Sequence, residues 1–204
     1  MPRMADADWF APTVLIGYGV RLEPLTDEHA AGLLAIGQDA AIFRWLPRGP
    51  FTSLDDVRAW IADARRPEAD GPQAAFAVVH RASGSVAGST RYLAITPVHR
   101  RLEIGWTWYG AAYQGTTVNA ACKLLLLAHA FETLGARRVE FKTDHLNTRS
   151  QAAIERLGAV KEGVFRQHRT RRDGTVRDTV WYSILDAEWP QVQSRLRERL
   201  TVAR

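Results

Sequence analysis

The sequence predicts an α/β fold built on a mixed sheet. Two observations carry that expectation. Segments with a two-residue hydrophobic period alternate with segments of 3.6-residue period along the whole chain, the mark of strands and helices packed in layers. In the middle, a strand leads through a loop into a long helix and out to another strand, which makes one parallel crossover among hairpin-joined strands. With 204 residues, 46% of them hydrophobic, the chain can bury one core but not two ordinary domains and a linker, so 1–204 is read as one domain.

Val14 to Glu23 alternates as a strand, and Thr26-Asp27-Glu28 opens a helix that runs through Ile36. A second helix follows the Thr52-Ser53 cap, with Asp55 and Asp56 in its first turn, where they complement the helix dipole. It stops near Arg66, because Pro67 and the run to Gly71-Pro72 cannot continue it. Strands are expected at Ala74 to His80, Val86 to Ile95 and Leu102 to Tyr109, the first two joined by a hairpin turn at Ala82-Ser83-Gly84-Ser85. The strongest helix, rich in Ala and Leu, runs from Thr117 to Leu134 and is closed by Gly135. A strand at Arg138 to Thr143, a helix from Asn147 to Leu157 closed by Gly158, and a strand from Val160 to Arg171 follow. Asp173-Gly174 signals a two-residue hairpin into Val176 to Leu185, and a last helix, Trp189 to Val202, carries Pro190 at its start.

Composition removes several classes of function. No stretch approaches the roughly 18 uninterrupted apolar residues of a membrane span; the longest, Leu124 to Ala128, lies between Lys123 and His129. The amino terminus carries Asp6 and Asp8 where a secretory signal has basic residues before an apolar block, so a cytoplasmic protein with no membrane partner is expected. Cys122 is the only cysteine, which rules out an internal disulfide and a thiol-rich metal site. No two of the six His stand at the His-x-x-x-His spacing, and no metal is expected. A net charge of +5 suits an anionic ligand or partner as well as a plain Arg-rich surface.

The segment that bears chemistry is Tyr113-Gln114-Gly115-Thr116-Thr117-Val118-Asn119, between a strand and the amino end of the long helix. Unpaired N–H groups at such an end make a ready anion site, and equally an ordinary cap in which Thr116 or Thr117 satisfies the first turn. Neither Gly-Lys-Ser/Thr nor Gly-x-Gly-x-x-Gly stands there, so ATP and NAD chemistry are not indicated.

With its neighbours, this segment resembles the GNAT superfamily of N-acetyltransferases, in the branch similar to the ribosomal-protein-alanine N-acetyltransferases. The resemblance covers roughly Val20 to Trp189. It rests on Leu102-Glu103-Ile104-Gly105-Trp106-Thr107-Trp108, on Tyr113 to Lys123, on Asn147-Thr148-Arg149-Ser150 with Arg156-Leu157-Gly158-Ala159, and on Arg177-Asp178-Thr179-Val180-Trp181-Tyr182-Ser183. It implies the GNAT fold, a mostly antiparallel sheet of about seven strands with helices on both faces. It also implies acetyl-CoA as co-substrate and a primary amine, on a protein N-terminus or a small molecule, as acceptor.

In the family's phosphate motif Gln114 holds the first place, while Thr117 and Asn119 stand where Gly, and Gly or Ala, are usual. A Cβ at Thr117 is tolerable where φ is negative, and backbone donors with a helix dipole suffice for a pyrophosphate. The resemblance therefore assigns acetyl-CoA to Gly105, Trp106 and Thr107 of the strand and to Gln114, Gly115, Thr116, Thr117, Val118 and Asn119 of the loop. It adds Asn147, a natural N-cap that in the family faces the pantetheine arm, together with Ser150. It also adds Arg156, which matches a basic position that meets a coenzyme A phosphate and reads equally as a surface arginine. Lys123, on the same helix face as Asn119, either approaches a phosphate or is solvated.

Acetyl transfer needs a neutral amine, a polarised thioester carbonyl and a group to receive the leaving thiolate. Glu103 is the expected base. Strand alternation sets it with Gly105 and Thr107 on the face opposite Leu102, Ile104, Trp106 and Trp108, and in the family this strand borders the acetyl group and the acceptor. The alternative for Glu103 is a solvated side chain paired with Arg101 or Arg138; His99, in an exposed turn, is the reserve base. N–H groups of Gly105 or Trp106, where the family's strand is bulged, would polarise the carbonyl. Many members carry Tyr where this chain has Ile154, so the thiol-partner role falls to Ser150, the nearest hydroxyl. Cys122, in an Ala/Leu-rich helix, is read as a core residue. Two other classes stay in view. One is an acyl-CoA-binding module without catalysis; the other is a nucleic-acid-binding protein, suggested by Arg166, Arg169, Arg171, Arg172 and Arg177 with only Phe165 and Trp181 as flanking aromatics. The expected partner is a small-molecule or peptide amine and not nucleic acid; a homodimer is compatible with this reading.

Overall fold

The computed structural model describes residues 7–67 and 71–202. Among them are eight strands: β1 Leu15–Gly17, β2 Val20–Pro24, β3 Ala74–His80, β4 Ser85–Thr96, β5 Arg101–Tyr109, β6 Arg138–Asp144, β7 Val160–Thr170 and β8 Val176–Leu185. Five α-helices accompany them: α1 Ala30–Ile36, α2 Leu54–Ala64, α3 Val118–Ala128, α4 Thr148–Glu155 and α5 Trp189–Val202. The strands form one sheet in the order β1-β2-β3-β4-β5-β6-β8-β7. Every neighbouring pair is antiparallel except β5 and β6, which the α3 crossover makes parallel.

The sheet has one strand more than the sequence predicts. Val14 to Glu23 breaks at Tyr18 and Gly19, with φ of 48° and 80°, and its halves fold back so that Leu15 pairs with Leu22. A glycine at the second turn position makes this left-handed pair accessible. The long helix also differs: α3 ends at Ala128 and passes into a π-helical turn, His129–Thr133, before Gly135 (φ 67°) closes it. Both predicted hairpin turns shift. Ser85 already belongs to β4, opposite His80. The Asp173-Gly174 turn is longer than two residues, because Arg171 donates its N–H to Thr175 O and Gly174 takes φ 83°. Of the predicted break after α2, residues 68–70 lie outside the described residues.

Helices cover both faces. On one, α3 and α5 pack on Leu22, Val78, Leu102, Ile104, Val139, Phe141, Val180 and Tyr182. On the other, α1 and α2 enclose Phe43, Phe51, Trp60, Ala77 and Trp108, a set of tilted and edge-to-face rings. On that second face β6 and β8 turn polar side chains outward by strand alternation: Glu140, Lys142 and Asp144 pair in register with Ser183, Trp181 and Thr179.

Candidate active site

The parallel strands run together only at their amino ends. Arg101, Leu102 and Glu103 pair with Arg138, Val139 and Glu140; beyond them β5 pairs with β4, and β6 with β8. The two strands therefore part and leave a cleft between their carboxyl ends. A bulge accompanies the parting. Trp106 takes φ 49°, and the β4–β5 register shifts between Ser89, opposite Trp108, and Arg91, opposite Gly105, so two β5 residues face Thr90.

The bulge corrects the predicted alternation. Leu102 and Ile104 lie in the α3 layer, whereas Trp108 lies in the α1–α2 layer. Trp106 sits on that same side, its ring 4.3 Å from the Arg91 guanidinium, which lies 5.1 Å from Trp60 of α2. Thr107 turns to the opposite face, where its Oγ1 accepts from Lys123 Nζ at 2.8 Å and lies 2.7 Å from Thr90 Oγ1.

At the far end of β5 the chain builds a bare helix start. Gln114 Nε2 donates to Tyr109 O at 3.0 Å and its Oε1 accepts from Arg149 at 2.9 Å, which ties the loop to the first turn of α4. Gly115 takes φ 75°, where a side chain would be strained. Thr117 has φ −70°, so its Cβ is accommodated. Thr116 Oγ1 donates to Tyr113 O and accepts from Val118 N–H. Ala121 N–H donates to Thr117 O. Among the described residues, the N–H groups of Gly115, Thr116, Thr117, Asn119 and Ala120 have no acceptor. Five donors converging at a helix start form an anion cradle, and they fit a pyrophosphate.

Glu103 stands where the strands part. It is 8% exposed, not solvated, and its partner is neither Arg101 nor Arg138: Lys142 Nζ lies 2.8 Å from its carboxylate. Arg138 instead pairs with Glu140 and Glu162. Burial pushes the Glu103 pKa above the usual carboxylate range, against the opposing pull of Lys142. Lys142 also lies 3.9 Å from the centre of the Trp181 ring.

A family model described as "Acetyltransferase (GNAT) domain" matches residues 20–160. This chain belongs to the GNAT acetyltransferase family. It is 33% identical, over 82% of its length and 90% of the relative's, to the Bacillus subtilis (strain 168) protein named "Putative ribosomal N-acetyltransferase YdaF". A GCN5-related N-acetyltransferase from Brucella melitensis superposes with a TM-score of 0.89, at 31% identity over 95% of this chain and 88% of that one. The crystal structure of a T. thermophilus protein described as an acetyltransferase superposes with a TM-score of 0.84, at 40% identity over 95% of this chain and 100% of the other. The chain is thus an acetyl-CoA-dependent N-acetyltransferase with the GNAT fold.

The remaining expected residues divide between cleft and periphery. Asn147 caps α4, its Oδ1 accepting from Ser150 N–H at 3.1 Å. Ser150 is half-buried in the same first turn, and Arg149 links that turn to Gln114. Arg156 is exposed at the opposite end of α4, on the order of 10 Å along the helix from Ser150. Ile154 is buried in the α3-side core, and His99 is exposed in a short 3₁₀ turn. Cys122 is fully buried, its thiol pushed up to about 11 by burial.

Two residues of this GNAT site escaped sequence reasoning. Lys142 was legible in part, because alternation along Arg138 to Thr143 puts it on one face with Glu140; what was missing is the register that sets Glu140 beside Glu103. Lys123 is neither solvated nor at the phosphate cradle. It is 5% exposed, its amine held down to about pH 8 by burial, with Thr107 as acceptor.

Proposed function

We propose that this GNAT acetyltransferase moves the acetyl group of acetyl-CoA to a primary amine by direct attack, with Glu103 as base and no covalent enzyme intermediate. The reading takes residues 1–204 as one cytoplasmic domain. The name of the Bacillus subtilis relative inclines the acceptor towards a protein N-terminus. The observation that carries the proposal is a buried carboxylate at the point where the parallel strands part. A carboxylate there, made more basic by burial, suits proton removal from an amine.

The Gly115–Ala120 donors and the start of α3 would hold the pyrophosphate, with Gln114 and Arg149 fixing the loop. Gly105, Trp106 and Thr107 would line the acyl end. The left-handed turn at Trp106 favours its N–H as donor to the thioester oxygen. The amine nitrogen bonds to the carbonyl carbon, its proton passes to Glu103 through water, and the C–S bond breaks. Ser150 Oγ would protonate the departing thiolate. Lys142 holds the Glu103 carboxylate in place at 2.8 Å.

Thiol release from acetyl-CoA, measured against a panel of small amines and N-terminal peptides, tests the proposal. Release that requires an amine is expected. Tight acetyl-CoA binding with no amine-dependent release would identify a binding module instead.

The cradle has its own test. Asn119 Oδ1 accepts from Tyr109 OH at 3.3 Å, so its side chain lies at the start of α3 beside the bare N–H groups. Asn119→Asp is expected to weaken acetyl-CoA binding about tenfold, because it sets a negative charge near the pyrophosphate, while Asn119→Ala weakens it less. Calorimetric titration of both variants reads the difference; equal affinities would show that the segment only caps a helix.

A further inference from the structure

The polar sheet face beside Glu103 holds a guanidinium that nothing in the fold neutralises. Arg177 of β8 has a side chain only 18% exposed, and its nearest anion is Asp144, with Nε 4.0 Å from Oδ2. That is too far for a hydrogen bond. Asp144 is already occupied: Arg171 grips it with Nε at 2.7 Å and Nη2 at 3.0 Å, and Leu146 N–H donates to Oδ1 at 2.9 Å. One carboxylate thus faces two guanidinium groups, and Arg177 Nε is buried with no hydrogen-bond partner among the described residues. Burial, with Arg169 and Arg171 close by, lowers the Arg177 pKa in spite of Asp144, as expected of a cation short of counter-charge.

Two further polar atoms extend the row. Thr179 Oγ1 and Trp181 Nε1, at alternate positions of the same strand, are also buried without partners among the described residues. Trp181 pairs in register with Lys142 and Thr179 with Asp144, so the row runs from the Glu103–Lys142 pair towards Arg177. Unsatisfied buried donors of this kind have an energetic cost unless a ligand fills them.

The geometry points to an acceptor that carries a carboxylate set apart from its amine: a peptide N-terminus with Asp or Glu at its second or third residue, the acid bound by Arg177. This rests on the acetyl-transfer reading above. Asp144, which marks the level of the Arg177 guanidinium, is two residues beyond Lys142, or about 7 Å along the strand. An extended peptide covers that in about two residues at 3.3–3.6 Å each. In a free α-amino acid the carboxylate is too close to the amine to bridge the gap. A guanidinium, with its planar fork of donors, is the group that reads a carboxylate geometrically.

The test uses one peptide in three forms, with Asp and Glu, with Asn and Gln, or with Lys at positions two and three, and follows thiol release. For the unmodified protein, kcat/KM is expected to be at least tenfold higher for the acidic form than for the amide form, and lowest for the Lys form. In Arg177→Gln the acidic-to-amide ratio should fall to near one with the amide rate kept, and Arg177→Lys should restore part of it. Because the ratio is taken within each variant, loss of folded protein cancels. A ratio near one in the unmodified protein, or an unchanged ratio in Arg177→Gln, would overturn the inference alone. Turnover of small amines without any peptide would overturn the inference and the peptide acceptor together; no amine-dependent release at all would overturn the acetyl-transfer reading itself.

Discussion

Glu103→Gln is expected to lower kcat/KM by about 10²-fold near neutral pH while leaving acetyl-CoA affinity nearly intact. Gln keeps the volume of the side chain, and its amide oxygen can still accept from Lys142, which lies 2.8 Å from the Glu103 carboxylate. What it loses is the basic oxygen, in a position where burial raises the carboxyl pKa. The sign of the pH dependence follows. The carboxylate works as a base only above that raised pKa, so the acidic limb of the unmodified protein's profile should lie above the ordinary carboxylate range, and the variant should lack it. At high pH more acceptor amine is already neutral, so the defect should shrink. Profiles of kcat/KM for the two proteins with one accepted amine, parallel and equal in height, would remove Glu103 from the mechanism.

Lys123→Met is expected to change the pH dependence of stability on the order of 3 kcal/mol. Burial lowers the Lys123 pKa from 10.5 to about 8, and each unit corresponds to about 1.4 kcal/mol. The folded pKa lies below the unfolded one, so between about pH 8 and 10.5 the unfolded chain binds more protons and stability rises with pH. The ammonium form is therefore a burden at neutral pH, where the Met variant should be the more stable. Its gain is reduced by about 1 kcal/mol, because Thr107 Oγ1 loses its donor. Across the same window the unmodified protein should recover relative to the variant. Denaturant unfolding of both proteins at pH 7 and near pH 10.5 reads the difference between them, which separates Lys123 from other groups that titrate there. A constant offset would show that Lys123 is not buried as an ammonium.

Much of this fold was legible in periodicity. β3 at Ala74–His80, β8 at Val176–Leu185 and α5 at Trp189–Val202 fall where alternation, turn residues and Pro190 predict them. The misses have local or long-range physical causes. Val14 to Glu23 keeps its alternation through Tyr18 and Gly19, so nothing but one glycine signals the turn. The bulge puts a bulky tryptophan, Trp106, into a left-handed conformation that its residue type does not announce. That single event carries several consequences: it moves Trp108 to the α1–α2 layer and turns Thr107 towards α3, where Lys123 finds its acceptor. The burial of Lys123 was therefore unreadable without the bulge. Glu103 was readable as a candidate, but its ion pair depends on the register of two strands joined only through a helical crossover. For the cradle, the sequence placed a cap and an anion site on equal terms. The acceptor-free N–H groups from Gly115 to Ala120 favour the anion site.

A crystal structure with coenzyme A bound tests the central claim most directly. The account predicts pyrophosphate oxygens within hydrogen-bond distance of the N–H groups of Thr116, Thr117 and Asn119, with the thiol between the parted strands beside Trp106 and Glu103. Phosphates held elsewhere, with those N–H groups still bare and the cleft between β5 and β6 empty, would contradict it.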